Sequence, residues 1–527
     1  MALNVTLHAG APGKSDLLVC YAVPASGGGG GKSKAKAPAK AKPGHVLGKG
    51  VPAHVQAAVN VANFEGNAGQ TLDVVGRPGE PAGCVLVVGL GAVADLGVTG
   101  LLEAGGTASR SARRLKVSTF DVAVPDEVLK QTVAGQPALA HLLEGMLLGN
   151  YRHDMFTKPK GIDPAAARVW LAGAVTAAHK DALARAQHAD AGVELARTLV
   201  TTPANDCTPT HLANTARGFA KAGKGAAALK VTIIEKAALQ KGGYGGILGV
   251  NLGSDLPPYL CIMHYDCGKK GAPTVCFVGK GITFDTGGYS IKTMPGMAAM
   301  KQDMAGGGAV LGLMHAVRHR QPAINVVGVV PTTENMINGK AYRPSDVLHM
   351  YDGTTVEVGN TDAEGRLILA DALAHATKHI KPDVMFDYAT LTGACMVALG
   401  GHAAGLMSDD DKLADEIYQV ATDCGERVWR LPVWDQYKAQ LESKIADLYN
   451  IGGPGGGACT AGAFLKHFVD TEAIRYAHID IAGTAWSDKG NGWTPPGATG
   501  FGVRLGLAII DHFENAKPAA AKKKKSK

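Results

Sequence analysis

Two acids and an arginine stand directly in front of an apolar run. Thr361-Asp362-Ala-Glu364-Gly-Arg366 leads without a break into Leu367-Ile-Leu-Ala-Asp-Ala-Leu-Ala-His-Ala376, which reads as a buried helix. Carboxylates beside a core need a partner, because burying an unpaired charge is costly. In an extended segment alternate side chains share a face, so Asp362, Glu364 and Arg366 are expected to point one way. A divalent cation is the obvious partner for such acids. The competing reading is an acidic turn with Asn360 or Thr361 as a helix N-cap.

Upstream, apolar strands alternate with helical stretches. Asp16–Val23 supplies a first strand. Cys84-Val-Leu-Val-Val-Gly-Leu-Gly91 is a buried strand ending in a glycine turn. Thr107–Leu115 is expected as a helix, Thr119–Val124 as a strand, Gln136–Asn150 as a helix and Arg168–Gly173 as a strand. Alternation of this kind implies an α/β domain with a mainly parallel sheet. Gly89-Leu-Gly91 lacks the full dinucleotide fingerprint and reads as a tight strand-to-helix turn. Gly31-Lys-Ser33 resembles the end of a phosphate-binding loop, but no helix can follow in the Gly- and Lys-rich stretch around it.

A helix near 181–199 leads to the turn-rich Thr201–Pro209 and a second α/β domain. Its expected strands are Val231–Glu235, Pro258–His264 and Thr274–Gly279, with a glycine turn at 242–246. The expected divisions are an N-terminal α/β domain at 1–180, a disordered Gly/Lys-rich insert at 24–44 and a connecting helix at 181–200. A catalytic domain at 201–515 and a disordered lysine-rich tail at 516–527 complete the chain.

The net charge of +7 is misleading. Lys32, Lys34, Lys36, Lys40 and Lys42 lie in the insert, and Lys517, Lys522, Lys523, Lys524, Lys525 and Lys527 in the tail. Removing these eleven charges leaves −4 for the remainder, which argues against a nucleic-acid-binding fold as the main activity. No apolar run reaches the length of a membrane span. The N-terminus lacks the features of a signal peptide, so a cytoplasmic location is expected. Nine cysteines without a CxxC pair suggest reduced thiols and neither a disulfide framework nor a zinc ribbon.

The strand Thr274–Gly279 delivers Lys280-Gly-Ile-Thr-Phe-Asp285-Thr-Gly-Gly-Tyr-Ser-Ile-Lys292. Polar residues in a glycine-rich loop at a strand's carboxyl end mark the ligand crevice of an α/β fold. Met300-Lys-Gln-Asp303-Met304 and a helix through Arg318 follow. The candidate site then holds the acids Asp285, Asp303, Asp362 and Glu364 and the bases Lys280, Lys292 and Arg366.

Val278–Lys292, Met300–Met304 and Asn360-Thr-Asp-Ala-Glu-Gly-Arg-Leu367 together resemble the leucyl aminopeptidases of peptidase family M17. The last octapeptide matches that family's signature unchanged. Glu334–Met336, Ala341–Asp346, Ala389–Ala394 and Ile479–Trp486 extend the resemblance over most of the second domain. The first domain resembles the family only loosely, and the lysine-rich insert and tail depart from its pattern.

The resemblance implies a macro-like N-terminal domain and a catalytic domain with a central mixed sheet flanked by helices. It also implies two divalent ions, Zn2+ and/or Mn2+, with Mg2+ or Co2+ as alternatives. Lys280, Asp285, Asp303 and Glu364 match the ligands of one ion; Asp285, Asp362 and Glu364 match those of the other. Lys292 and Arg366 match the two catalytic positions, with a bicarbonate held at Arg366. The implied reaction is attack of a metal-bridging hydroxide on the peptide carbonyl, removing N-terminal residues, preferably Leu and other apolar ones. Lys280, Asp285, Lys292, Asp303 and Asp362 would also touch the peptide. Met300, Thr390, Gly393 and Ala498 match positions lining the first side-chain pocket, each of which could equally be ordinary core.

A cytoplasmic homohexamer acting on peptides is the expected particle. One rival is a nucleic-acid-binding protein that uses the lysine segments. Another is a structural protein on an inactivated peptidase scaffold, against which the unsubstituted seven-residue constellation counts.

Overall fold

The computed structural model of the protein describes residues 2–24, 45–80, 82–157 and 162–516. The insert and the lysine-rich tail, including the Gly31-Lys-Ser33 reading, lie outside the described residues apart from Pro24, which ends a strand, and Ala516. The chain divides into two compact units. One comprises Met1–Asp190 with Asp488–Pro496, the other Ala191–Ser487 with Gly497–Lys527. The boundary falls inside the helix Ala177–Thr201.

The first unit is a seven-stranded sheet. Its order is Asn4–Ala9, Ala166–Leu171, Thr119–Ala123, Ser15–Pro24, Ala82–Gly89 and Thr71–Val75, with His45–Val46 pairing beside Ser15–Pro24. All pairings are parallel except those of Thr71–Val75 and His45–Val46. Within Ser15–Pro24, Leu17–Val23 is continuously apolar and buried because it is covered on both faces. Leu17, Val19 and Tyr21 pack with Leu101 and Leu142, and Leu18, Cys20 and Ala22 with Val55 and Val59. The helix expected from Thr107 begins earlier, at Val98, because Leu101, Leu102 and Ala104 continue its buried face upstream. The segment after Gly91 reaches that helix through a single 3-10 turn at Val93–Asp95.

The second unit is built on a nine-stranded mixed sheet. Its order is Lys230–Glu235, Tyr259–Tyr265, Asn325–Asn335, Thr274–Gly279, Val384–Ala389, Arg475–Asp480, Ala404–Met407 and Val428–Arg430. Gly281–Asp285 pairs with the far end of Asn325–Asn335. The four central strands are parallel, so their carboxyl ends share one edge. Helices Ala305–Arg320 and Glu364–His375 are buried almost throughout their length. Helices flank the sheet, as expected of an α/β peptidase domain.

Other expectations also need correction. The stretch 362–366 is not extended: a helix starts at Glu364 and contains Arg366. Its N-cap position is Ala363, without a side-chain cap, so neither Asn360 nor Thr361 caps it. The buried apolar run extends its helix back through the charged residues, since the dipole of a helix N-terminus favours an acid in its first turn. The glycine turn at 242–246 is narrower than expected, because short helices occupy Lys236–Gly242 and Gly245–Asn251 on either side of it. Among the described residues no helix is long and apolar enough to cross a membrane, and no disulfide joins any of the nine cysteines.

Candidate metal centre

Three neighbouring parallel strands end together, which sets the position of the polar groups. Gly279 is in register with Tyr388, and Ala389 with Asp480. The residues that follow are therefore side by side. Lys280 donates from Nζ to the Thr390 carbonyl at 3.1 Å, and its own backbone N–H bonds the Tyr388 carbonyl at 3.0 Å. Gly281–Asp285 then carries Asp285 along the edge of the sheet.

Lys280 and three carboxylates form a buried knot. Nζ lies 2.8 Å from Asp303 Oδ1 and 2.8 Å from Glu364 Oε1. Carboxylate oxygens of Asp285, Asp303 and Glu364 all lie within 4.8 Å of one another, and the three residues are buried. Asp303 comes from the turn after Met300–Gln302, and the Thr390 hydroxyl donates to its Oδ1 at 2.8 Å. Asp303 Oδ2 is buried with no hydrogen-bond partner.

A second ammonium closes the open side. Lys292 Nζ lies 2.8 Å from Asp285 Oδ2 and also contacts Asp362 Oδ1. Asp362 is the least buried of the four acids, with 31% of its side chain exposed, so this is the face open to solvent.

Charge crowding is visible in the protonation equilibria. Burial, with Asp285 and Glu364 adding to it, pushes the Asp362 carboxyl up to about 6. Burial also holds Asp303 well above the usual range, against the pull of Lys280. At Lys280 burial works against the ammonium, but Asp303, Glu364 and Asp285 outweigh it and raise the group. Lys292 is raised in the same way, with Asp285 foremost among the acids. Too many carboxylates for two lysines, and one carboxylate oxygen without a donor, fit a site built for divalent cations with oxygen ligands.

Arg366 stands one turn into the helix. It is buried, donates from Nη1 to the Asn450 carbonyl at 2.8 Å, and lies over Phe464. Its Nε is buried without a hydrogen-bond partner. Burial lowers the guanidinium to about 10, although Glu364 and Asp480 favour its charge.

The structure thus brings together Lys280, Asp285, Lys292, Asp303, Asp362 and Glu364, with Arg366 on the same helix as Glu364. Of the four pocket candidates, Thr390 touches the cluster directly, and Gly393 opens the helix three residues beyond it. Met300 begins the turn leading to Asp303. Ala498 is buried and paired with Trp486, whose ring lies 5.6 Å from Lys301 Nζ. The Asp303 backbone N–H donates to the Met300 carbonyl at 3.3 Å.

Sequence reasoning missed the groups that hold this arrangement. Asn335 donates from Nδ2 to Asp285 Oδ1 at 2.8 Å and to the Thr361 carbonyl at 2.9 Å. The Tyr342 hydroxyl donates to the same carbonyl at 2.7 Å. Asp480 accepts from the Leu391 backbone and the Thr392 hydroxyl, fixing the loop that presents Thr390. Asn335, Tyr342 and Asp480 lie inside stretches that drew notice only for their resemblance, and neutral amides and hydroxyls carry no spacing signal of their own.

Comparison with known proteins gives one consistent answer. The profile of the catalytic domain of the cytosol aminopeptidase family matches residues 194–507, and that of the family's N-terminal domain matches 30–160. A "Probable cytosol aminopeptidase" of Geobacter sp. (strain M21) is 44% identical over 84% of this chain and 88% of its own. Another, from Cenarchaeum symbiosum (strain A), is 42% identical over 82% of this chain and 87% of its own. Among solved structures, a tomato leucine aminopeptidase mutant superposes with a TM-score of 0.81 at 30% identity, covering 97% of both chains. The bottromycin maturation enzyme BotP in complex with Mn superposes with a TM-score of 0.80 at 30% identity, over 95% of this chain and 99% of that one.

Proposed function

The chain belongs to the cytosol aminopeptidase family, peptidase family M17, and from that premise we propose that it removes N-terminal leucine and other apolar residues from peptides with two divalent cations. That it is a metal-dependent aminopeptidase follows from the family; the ions, their ligands and the preference are the reading offered here. The observation that carries it is the buried meeting of Asp285, Asp303 and Glu364 between Lys280 and Lys292.

Lys280, Asp285, Asp303 and Glu364 would hold one cation, and Asp285, Asp362 and Glu364 the other. Zn2+ and Mn2+ suit this mixed amine and carboxylate set, and Mg2+ or Co2+ could replace them. When bound, the ions supply an activated water and Lewis-acid polarisation of the scissile carbonyl. Lys280 would bind as the free amine, since the carboxylates that now favour its ammonium would be neutralised. Lys292 remains cationic and is aimed at the open face, where it would steady negative charge developing on the carbonyl oxygen. Asp303, with one oxygen unpartnered, would accept from the substrate's free amino group, which would restrict cleavage to N-terminal residues. Arg366 keeps a buried donor free for a small planar anion such as bicarbonate, which would serve as proton acceptor where no further carboxylate is available. Met300, Thr390, Gly393 and Ala498 would line the pocket for the leaving residue's side chain.

The test is hydrolysis of amino-acid amides before and after chelation, with each metal restored in turn. Activity should vanish on chelation, return with Mn2+ or Zn2+, and be greatest for leucine and methionine amides. Undiminished activity after metal removal, or cleavage of an N-acetylated peptide, would overturn the reading.

A further inference from the structure

Asn450 is buried completely and is used in every direction. It follows the two-residue strand Leu448–Tyr449, whose partner is Thr355–Glu357, and its backbone N–H continues that pairing to the Glu357 carbonyl at 2.9 Å. Its side-chain Oδ1 accepts from the backbone N–H of Gly359 at 2.7 Å and of Asn360 at 3.2 Å. Its Nδ2 donates to the Asn360 carbonyl at 2.8 Å. Its own carbonyl accepts from Arg366 Nη1 at 2.8 Å.

One residue therefore grips both ends of the stretch that carries Asp362 and Glu364. The strap Gly359–Asn360 enters that stretch, and Arg366 leaves it. Between the two grips lies an irregular segment: the Asn360 side chain accepts from the Asp362 backbone, and the helix starts at Glu364 with no side-chain cap. Within it Asn335 and Tyr342 hold the Thr361 carbonyl, while the backbone of Gly359 and Asn360 on the entry side is held by Asn450. The amide of Asn450 serves as donor and acceptor to the same strap at once, which an ionised carboxylate of the same shape cannot do. From these contacts we infer that Asn450 is a positioning residue, clamping the Asp362–Arg366 stretch so that its acids and its arginine keep a fixed relation.

The inference rests on the proposed function, because the consequence of a loose clamp is misplacement of the proposed ligands and of Arg366. A misplacement of about 1 Å at reacting groups is worth roughly a hundredfold in rate. Asn450→Ala removes three side-chain hydrogen bonds, while Asn450→Asp keeps the shape and the acceptor but loses the donor to Asn360. On leucine amide, kcat should fall by about tenfold to a hundredfold in Asn450→Ala and less in Asn450→Asp, with KM within about threefold in both. Mn2+ affinity of each metal-stripped variant, measured calorimetrically, should weaken in the same order. Asn150→Ala, which removes a buried amide from the other unit, should leave both quantities unchanged.

If Asn450→Ala does not fold, the near-isosteric Asn450→Asp decides. A folded Asn450 variant with kcat within about threefold of the parent and unaltered Mn2+ affinity overturns the inference, as does a loss confined to KM. If the parent chain itself fails to hydrolyse leucine amide, it is the proposed function that falls, and the Mn2+ affinities alone then decide for or against the clamp.

Discussion

Glu364→Gln and Lys292→Ala separate two kinds of residue in one cluster. Glu364 is one of the three buried carboxylates that meet within 4.8 Å, so its neutral amide should lower bound metal and abolish turnover. Lys292 sits at the rim, with 17% of its side chain exposed. Its removal should leave the metal in place and cut kcat by a factor on the order of 100, as for loss of an oxyanion donor. Metal content and kcat of the two purified variants check this; the reverse pattern would exchange the roles. Asp371 allows a second test at this scale, away from the cluster. Burial pushes its carboxyl up to about 7, although it accepts backbone N–H bonds from Ile247 and Tyr351. A carboxyl raised on folding favours the native state below the unfolded pKa near 3.9, and that contribution is lost as pH rises towards about 7. The stability of Asp371→Asn relative to the parent should therefore rise between pH 4 and 7, by up to about 4 kcal/mol. Denaturant unfolding across that range reads the difference, and a gap that narrows with rising pH would show Asp371 ionised in the fold.

Helix Glu364–His375 joins the chemistry to the core. All twelve of its residues are buried, so it has no solvent face and no amphipathic pattern. Leu369 is fully buried, and Leu369→Ala should cost about 2–5 kcal/mol, measured by denaturant unfolding. Gly365 is the close approach between this helix and the strand end: a Cβ there would stand 2.4 Å from Lys280 Cε. The obstructing atoms are the far end of a flexible side chain, so the helix should survive and Lys280 should move. Gly365→Ala is thus expected to lower metal affinity and activity strongly while shifting the thermal midpoint by only a few degrees. A large loss of stability with metal affinity intact would mean that backbone packing, not Lys280, fixes the glycine.

The whole molecule carries its basicity apart from its chemistry. The eleven lysines of the insert and tail accompany almost no large apolar residue, so these segments can contribute little burial energy. They also lie outside every motif of the candidate site. Deleting 517–527, or shortening 27–42, should leave kcat/KM on leucine amide within about tenfold, or about 1.4 kcal/mol. A larger loss would show that they help to build the active particle, whose expected hexameric state sedimentation analysis of the trimmed and full chains would establish. Binding of the full chain to DNA should appear at low salt only and fade as salt screens it.

Strand and helix types, the α/β class and the charged constellation were legible in the sequence, because each leaves a local mark. Thr274–Gly279 is an unbroken apolar run that Lys280 follows, Asp285 ends the next strand, and Asp362 and Glu364 stand directly in front of the apolar run from Leu367. Charge beside a core is rare enough to be read from order alone. Conformation at 362–366 was not legible, since alternating charges suit a strand face and a helix start equally well, and only the packing of Leu367–His375 chose the helix. The supports were hidden for a different reason. Asn335, Tyr342, Asn450 and Asp480 act through neutral donors or through long-range acceptance of backbone N–H groups. Asn450 lies 84 residues from the arginine that it holds. A contact of that range has no period or spacing in the sequence; it exists only once Leu448–Tyr449 has paired with Thr355–Glu357.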